Sequence, residues 1–156
     1  PSSAVAEVLH HTDIHPEHKV LQIGTGAGYL AAVLSKLAAN VVTMESNPAI
    51  ARIAQARFNK LGLENLILRQ RDGCAGAPDL GPFNRILVSS PRVKEKTKLL
   101  EQLAPEGLLV ALEQGENNTH ILTRYSMTDL GAVLRRELAL VDFSKDTGMT
   151  CWIWAW

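Results

Sequence analysis

The 156-residue sequence lacks the features that mark secreted and membrane proteins. It has only two cysteines, Cys74 and Cys151, which lie far apart, so a disulfide-rich extracellular scaffold is excluded. No apolar run is long enough to span a bilayer, and no positively charged opening leads into an apolar stretch, as it would in a secretory signal. These absences predict a cytoplasmic protein with no membrane association.

The sequence also lacks an excess of either charge. Lysine plus arginine and aspartate plus glutamate number 16 each, so no overall positive field would gather phosphates, and no nucleic acid partner is expected. The content of 46% hydrophobic and 21% charged residues is that of an ordinary folded chain. The length predicts a single domain over residues 1–156. Because the first residue is Pro1, we expect a chain that is truncated at its N-terminus.

Apolar segments of strand length alternate with segments of helical periodicity through the first two thirds of the chain. Helices are predicted from residue 30, from the Asn47 cap to Gly62, and over residues 94–103. Strands are predicted at 19–23, 41–44, 66–68, 86–88 and 108–112. Such alternation with short loops predicts a parallel sheet with helices on both faces.

The pattern changes beyond Gly115. Three further strands, at 120–125, 133–140 and 150–154, follow one another without helices between them. Consecutive strands joined by short turns pair antiparallel. The predicted fold class is therefore α/β, a Rossmann-like doubly wound and mostly parallel sheet of about seven strands with an antiparallel C-terminal edge.

A glycine-rich loop stands between the first strand and the first long helix. Gly24, Gly26 and Gly28 occupy alternate positions there, and the helix N-terminus directs backbone N–H groups towards a ligand. A dinucleotide loop would have glycine or alanine where this sequence has Tyr29. The spacing therefore favours S-adenosyl-L-methionine over NAD.

Two carboxylates follow the next two predicted strands. Glu45 lies about 20 residues beyond the glycines, where a carboxylate can accept hydrogen bonds from ribose hydroxyls. Asp72 could bind an adenine amino group from the neighbouring strand end. Each signal alone is equally typical of a turn or a helix cap, but in this order they predict a nucleoside site. The predicted cofactor-binding residues are Gln22, Gly24, Thr25, Gly26, Gly28, Glu45, Ser46, Asp72 and Gly73.

A metal site is not predicted, because the nearby histidines His10, His11, His15 and His18 lack acidic or cysteine ligands at a fixed spacing.

Five segments of the chain resemble the protein-L-isoaspartate O-methyltransferase family. They are VLQIGTGAGY at 20–29, TMESNP at 43–48, RDGCAG at 71–76, PFNRILVSSP at 82–91 and LAPEGLLV at 103–110. The opening PSSAVAEVL is similar to a family segment that leads into a helix. The resemblance implies methyl transfer from S-adenosyl-L-methionine to the carboxylate of L-isoaspartyl residues in damaged proteins, with S-adenosyl-L-homocysteine as product.

The sequence departs from the family pattern at several positions. Gln22 replaces an acidic residue, Asn84 replaces the aspartate of F-D, and Glu106 replaces a glycine of P-G-G. The family's active-site serine would lie just before Pro1, so no catalytic residue is assigned. Ser2 and Ser3 lie beside that place and are candidate substrate-binding residues.

Two alternatives to an isoaspartyl methyltransferase stay open at the sequence level. One is an enzyme of the same fold that methylates a different carboxylate, and the other is a non-catalytic module that binds S-adenosyl-L-methionine. The absence of a catalytic triad does not decide between them, because an ionised carboxylate needs no general base to accept a methyl group. The oligomeric state is not determined by the sequence.

Overall fold

The computed structural model describes residues 3–90, 93–115 and 119–141. Within these residues the chain forms four α-helices, one 3-10 turn (Pro78–Leu80) and seven strands. The helices are α1 (Ser3–Thr12), α2 (Tyr29–Leu37), α3 (Pro48–Lys60) and α4 (Thr97–Leu100). The strands are β1 (Lys19–Ile23), β2 (Asn40–Glu45), β3 (Leu66–Gln70), β4 (Phe83–Val88), β5 (Leu103–Gln114), β6 (His120–Met127) and β7 (Val133–Val141).

All seven strands belong to one sheet in the order β3-β2-β1-β4-β5-β6-β7. Strands β1 to β5 are parallel, whereas β6 and β7 are antiparallel to their neighbours. The predicted fold class is confirmed. The chain leaves β1 towards β2 and β3 and then returns to place β4 on the other side of β1. Such a reversal of strand order opens a crevice at the carboxyl ends of the strands, where sheets of this type bind ligands.

Both faces of the sheet are covered, as the alternation of elements predicts. Side chains alternate along each strand, so Val20 and Leu21 point to opposite faces. One face packs against α1, α2 and α3, with Leu34 and Phe58 among its buried side chains. The other face packs against α4 and the loop that follows β3, with Leu99 fully buried there. Within the described residues, no helix is both long and apolar enough to cross a membrane.

Helix α3 begins and ends at the residues that the sequence indicates. The Asn47 side chain accepts hydrogen bonds from the N–H groups of Ala49 and Ile50, at 2.9 and 3.3 Å, and Pro48 occupies the first turn. Gly62 follows the last turn at φ 61°, a left-handed conformation that favours glycine. The predicted start and stop signals of this helix are confirmed.

The helix predicted over residues 94–103 is wrong in length, because α4 covers only Thr97–Leu100. At its start, the Glu95 carboxylate accepts hydrogen bonds from the N–H groups of Lys96 and Thr97, so the helix begins only at Thr97. At its end, the Gln102 carbonyl accepts from the N–H of Phe83, so pairing with β4 begins at once. The strand predicted at 150–154 lies outside the described residues.

Glu106, one of the departures from the family pattern, lies in the left-handed region at φ 60°. A side chain costs about 1–2 kcal/mol in this conformation, whereas glycine adopts it freely. We therefore expect Glu106→Gly to raise the free energy of unfolding by about 0.5–1 kcal/mol in urea titrations. Glu106→Ala removes the same charge but keeps the Cβ atom, and it should give no such gain. Equal stabilisation by both variants would contradict the backbone explanation.

Candidate functional site

The loop after β1 curls over the end of β2. All three of its glycines have positive φ angles, which are 96° at Gly24, 52° at Gly26 and 89° at Gly28. The N–H groups of Gly24 and Thr25 both donate to the Met44 carbonyl, at 3.0 and 3.1 Å. Glycine at every second position is thus required by the backbone itself, because other residues rarely adopt these angles.

Gly28 is also required for the packing of two helices. It caps α2, and a Cβ atom at this position would lie 2.7 Å from the ring of Phe58 in α3. No heavy atom can approach so closely without displacing the ring. The glycine loop is therefore fixed both by its own turn and by the contact between α2 and α3.

A chain of buried polar groups supports the loop from beneath. The Gln22 side chain donates from Nε2 to the Gly24 carbonyl at 3.0 Å and accepts at Oε1 from the Thr43 hydroxyl at 3.2 Å. The hydroxyls of Thr25 and Thr43 are 2.7 Å apart. An amide suits this position because it donates and accepts at once. The departure at Gln22 thus has a structural role, and its side chain is fully buried beneath the proposed ligand surface.

Glu45 joins the glycine loop to the start of α3. Its Oε2 accepts from the N–H of Gly26 at 3.0 Å, and its Oε1 accepts from the N–H of Asn47 at 2.9 Å. The residue is only 1% exposed. Each carboxylate oxygen can accept two hydrogen bonds, so these contacts use half of its capacity. Ser46, the next residue, is half-buried.

The loop after β3 reaches the same edge of the sheet. Asp72 is exposed, and its Oδ1 accepts from the N–H of Cys74 at 2.9 Å. Gly73 packs so closely on β1 that a Cβ atom there would overlap the side chain of Ile23. The carboxyl ends of three strands therefore bring the glycine loop, Glu45 and the segment from Asp72 to Gly73 to one edge, as the order of motifs predicts.

Sequence reasoning missed Ser89, which follows β4 at this edge. Its hydroxyl lies 3.0 Å from the carbonyl oxygens of both Ile23 and Gly24, to which it donates. The available signal was a small polar residue directly after a buried strand. Asn84, by contrast, lies at the other end of β4, where its Oδ1 accepts from the N–H of Lys19 at 2.8 Å. The departure at Asn84 is therefore remote from the candidate site.

Sequence reasoning also missed a charged cluster around Glu113 near the end of β5. Its Oε1 accepts from Lys96 Nζ at 2.7 Å and from the Tyr125 hydroxyl at 2.6 Å. Its Oε2 accepts from the Thr123 hydroxyl and from Arg135 Nη2, both at 3.0 Å. Burial alone would raise the pKa of Glu113, but these four hydrogen bonds lower it to about 2. In the sequence, the signal for this cluster was a single acidic residue at the end of an apolar strand.

The remaining candidate residues lie elsewhere or outside the described part of the chain. Ser2 lies outside the described residues, and Ser3 is the first residue of α1. His15 Nε2 lies 3.3 Å from Asp13 Oδ1, and the His15 ring packs edge-on against that of His18. Among the described residues, no group of three or more histidine, cysteine or acidic side chains could hold a metal ion.

The fold is that of methyltransferases whose structures have been solved. A protein-L-isoaspartate O-methyltransferase chain superposes with a TM-score of 0.78 at 25% identity, over 90% of this chain and 45% of that chain. A candidate protein-L-isoaspartate O-methyltransferase of Plasmodium falciparum, solved with S-adenosyl-L-homocysteine, gives 0.68 at 19% identity, over 88% and 69%. The sheet order and the loop after β1 therefore define a methyltransferase fold.

Residues 2–147 match the family described as protein-L-isoaspartate(D-aspartate) O-methyltransferase, and the chain belongs to this family. The enzyme of that name from Rhodopseudomonas palustris is 38% identical over 139 residues, which cover 89% of this chain and 64% of the relative. The one from Azorhizobium caulinodans is 44% identical over 109 residues, which cover 70% and 50%. The chain thus spans between half and two thirds of the length of these relatives.

Proposed function

We propose that this chain binds S-adenosyl-L-methionine at the glycine loop and transfers its methyl group to the carboxylate of L-isoaspartyl residues in proteins. The observation that carries the proposal is the buried Glu45 carboxylate, which contacts the N–H of Gly26 where the strand order reverses. Membership in the protein-L-isoaspartate(D-aspartate) O-methyltransferase family supports the same reaction.

The residues at the strand ends fit an adenosyl group. The loop glycines carry no side chains, so a ligand can approach their backbone closely. Each oxygen of Glu45 accepts one backbone hydrogen bond, and a carboxylate is also a strong acceptor for ribose hydroxyls. Because Glu45 is almost fully covered, we propose that the hydroxyls reach it by displacing the Gly26 N–H. Asp72, exposed at the next strand end, would accept the adenine amino group.

The proposed reaction requires little acid–base chemistry from the protein. The cofactor supplies an electrophilic methyl group on a positively charged sulfur. The acceptor carboxylate is already ionised at neutral pH and needs no general base. Glu113, which has four donors and a pKa of about 2, is not a base at neutral pH either. The contribution of the chain is therefore to orient the two reactants and to exclude water between them.

The proposed partner is a protein or peptide with an isoaspartyl carboxylate, and residues 1–156 would act as one domain. The relatives are named protein-L-isoaspartate O-methyltransferases, which supports a protein substrate. The low cysteine content supports action in the cytoplasm.

The proposal is tested by methyl transfer to a matched pair of peptides. The chain is incubated with methyl-labelled S-adenosyl-L-methionine and a peptide that contains one L-isoaspartyl residue, or with the same peptide containing L-aspartate. We expect a base-labile methyl ester on the first peptide only. Cofactor binding with ester on neither peptide would contradict the proposed substrate and favour another carboxylate or a non-catalytic module.

A further inference from the structure

A cleft of about 270 Å³ opens at the carboxyl ends of β4 and β5. Its apolar part includes Val88 at the end of β4 and Ala111 in β5, and Lys94, Lys96 and Glu113 also line it. Both strands end at the edge of the sheet that carries the glycine loop. The cleft therefore has both apolar and charged walls, and it lies at the same sheet edge as the proposed cofactor site.

The cleft and the glycine loop are joined through three consecutive residues. Ser89 donates its hydroxyl hydrogen to the Gly24 carbonyl of the loop, and its two chain neighbours, Val88 and Ser90, line the cleft. The residue that contacts the loop is thus flanked in the chain by two residues of the cleft wall. A ligand in the cleft would lie next to whatever the glycine loop holds.

Glu113 cannot receive a further ligand in this cleft. Each of its oxygens already accepts two hydrogen bonds, which is the capacity of a carboxylate oxygen. Its negative charge is shared by two cations, Lys96 and Arg135. The Glu113 carboxylate therefore holds the side chains of Lys96 and Arg135 in place.

Lys96 is held in place by Glu113 and retains capacity to donate. Its side chain is 11% exposed, and its Nζ lies 5.4 Å from the centre of the Tyr125 ring. Of its three N–H groups, one donates to Glu113, and the contact with the Lys94 carbonyl is long, at 3.4 Å. The residues that line the cleft carry two lysines against one glutamate, so the cleft favours an anion.

We propose that Lys96 binds the carboxylate of the methyl acceptor in this cleft and so determines specificity for an ionised acid. The inference rests on the proposed function and names a residue that selects its substrate. One carboxylate oxygen accepts a hydrogen bond from Lys96, and the other attacks the methyl carbon. The O–CH₃ bond forms as the S–CH₃ bond breaks, and the sulfur keeps the electron pair. Lys96 keeps its proton throughout, and the neutral ester is held more weakly than the acid.

The test compares a carboxylate with its neutral amide. Dissociation constants are measured by calorimetry for an isoaspartyl peptide and for the same peptide with isoasparagine, with and without S-adenosyl-L-homocysteine. We expect the wild-type chain to bind the carboxylate at least about tenfold more tightly, as one charge-assisted hydrogen bond would give. In Lys96→Met the two peptides should bind equally. Lys98→Met removes an exposed lysine from the same segment and should keep the preference.

Two further measurements separate a folding defect from loss of the site. Lys96→Arg retains the charge and should retain most of the preference for the carboxylate. The affinity of Lys96→Met for S-adenosyl-L-homocysteine should match that of the wild-type chain, because Lys96 lies outside the glycine loop.

An unchanged preference in Lys96→Met, or no preference in the wild-type chain, would overturn the inference while the proposed function stands. Failure of the proposed function is read separately, from the absence of ester on the isoaspartyl peptide. The titrations without S-adenosyl-L-homocysteine measure the effect of Lys96 on peptide binding, whether or not the chain forms an ester.

Discussion

Glu45→Gln is expected to bind S-adenosyl-L-homocysteine at least about a hundredfold more weakly than the wild-type chain, as judged by calorimetric titration. In the proposed complex the Glu45 carboxylate accepts two hydrogen bonds from the ribose, each strengthened by its charge. Glutamine keeps the shape but loses the charge, and its NH₂ group faces one of the two N–H donors of Gly26 and Asn47. The same conflict should lower the free energy of unfolding of the ligand-free chain by about 1–3 kcal/mol.

Glu64→Gln provides the matched control for this variant. Glu64 is exposed in the turn before β3, so the substitution removes the same charge without touching the loop. It should change neither affinity nor stability. If Glu45→Gln were destabilised but bound the ligand as tightly as the wild-type chain, Glu45 would only stabilise the loop. The proposal that it binds the ribose would then be wrong.

Acid should destabilise the wild-type chain more than Glu113→Gln. Hydrogen bonds in the folded state outweigh burial and lower the pKa of Glu113 from 4.5 to about 2. Protons therefore bind the unfolded state more tightly over this range. The contribution of Glu113 is complete above pH 4.5 and is lost as the pH falls towards 2. Its full size is on the order of 3 kcal/mol, of which about 2 kcal/mol should be lost between about pH 6 and about pH 3, measured as the difference in unfolding free energy.

Glu137→Gln is the control for the acid experiment. Glu137 is exposed and pairs with Arg135 at 2.9 Å, so its removal should leave the acid sensitivity of the chain almost unchanged. Because Glu113→Gln lacks the titrating carboxylate, its stability should depend less on pH throughout this window. If Glu113→Gln and Glu137→Gln showed the same dependence of stability on pH, the four hydrogen bonds to Glu113 would not lower its pKa.

The glycine loop and helix α3 could be predicted because their signals are local. Gly24, Gly26 and Gly28 are required by the φ angles of their own residues, and Asn47 caps the N–H groups two and three residues further on. The antiparallel edge follows from three strand-like segments without helices between them. For the loop and the helix, the residues that determine the structure stand within one short segment of the sequence.

The Glu113 cluster could not be predicted, because it depends on the register of three strands. Thr123 and Tyr125 lie in β6 and Arg135 lies in β7, and all three reach Glu113 only after β6 pairs with β5 and β7 pairs with β6. A single acidic residue in an apolar run does not identify such partners.

Gln22 shows the same limit at the candidate site. Its amide is explained by Thr43 in the neighbouring strand, a contact that has no local signal. Helix α4 is short for a related reason, since Gln102 pairs with Phe83 in β4 and thereby ends the helix. The periodicity of a sequence describes one segment at a time. The role of Gln22 and the length of α4 each depend on contacts between two segments.

The most direct test of the central claim, that the glycine loop and Glu45 form an adenosyl site, is a calorimetric titration of the wild-type chain with S-adenosyl-L-homocysteine. We predict one binding site per chain with a dissociation constant in the micromolar range or below. No detectable binding by a chain that is folded under the same conditions would mean that the glycine loop and Glu45 do not form an adenosyl site.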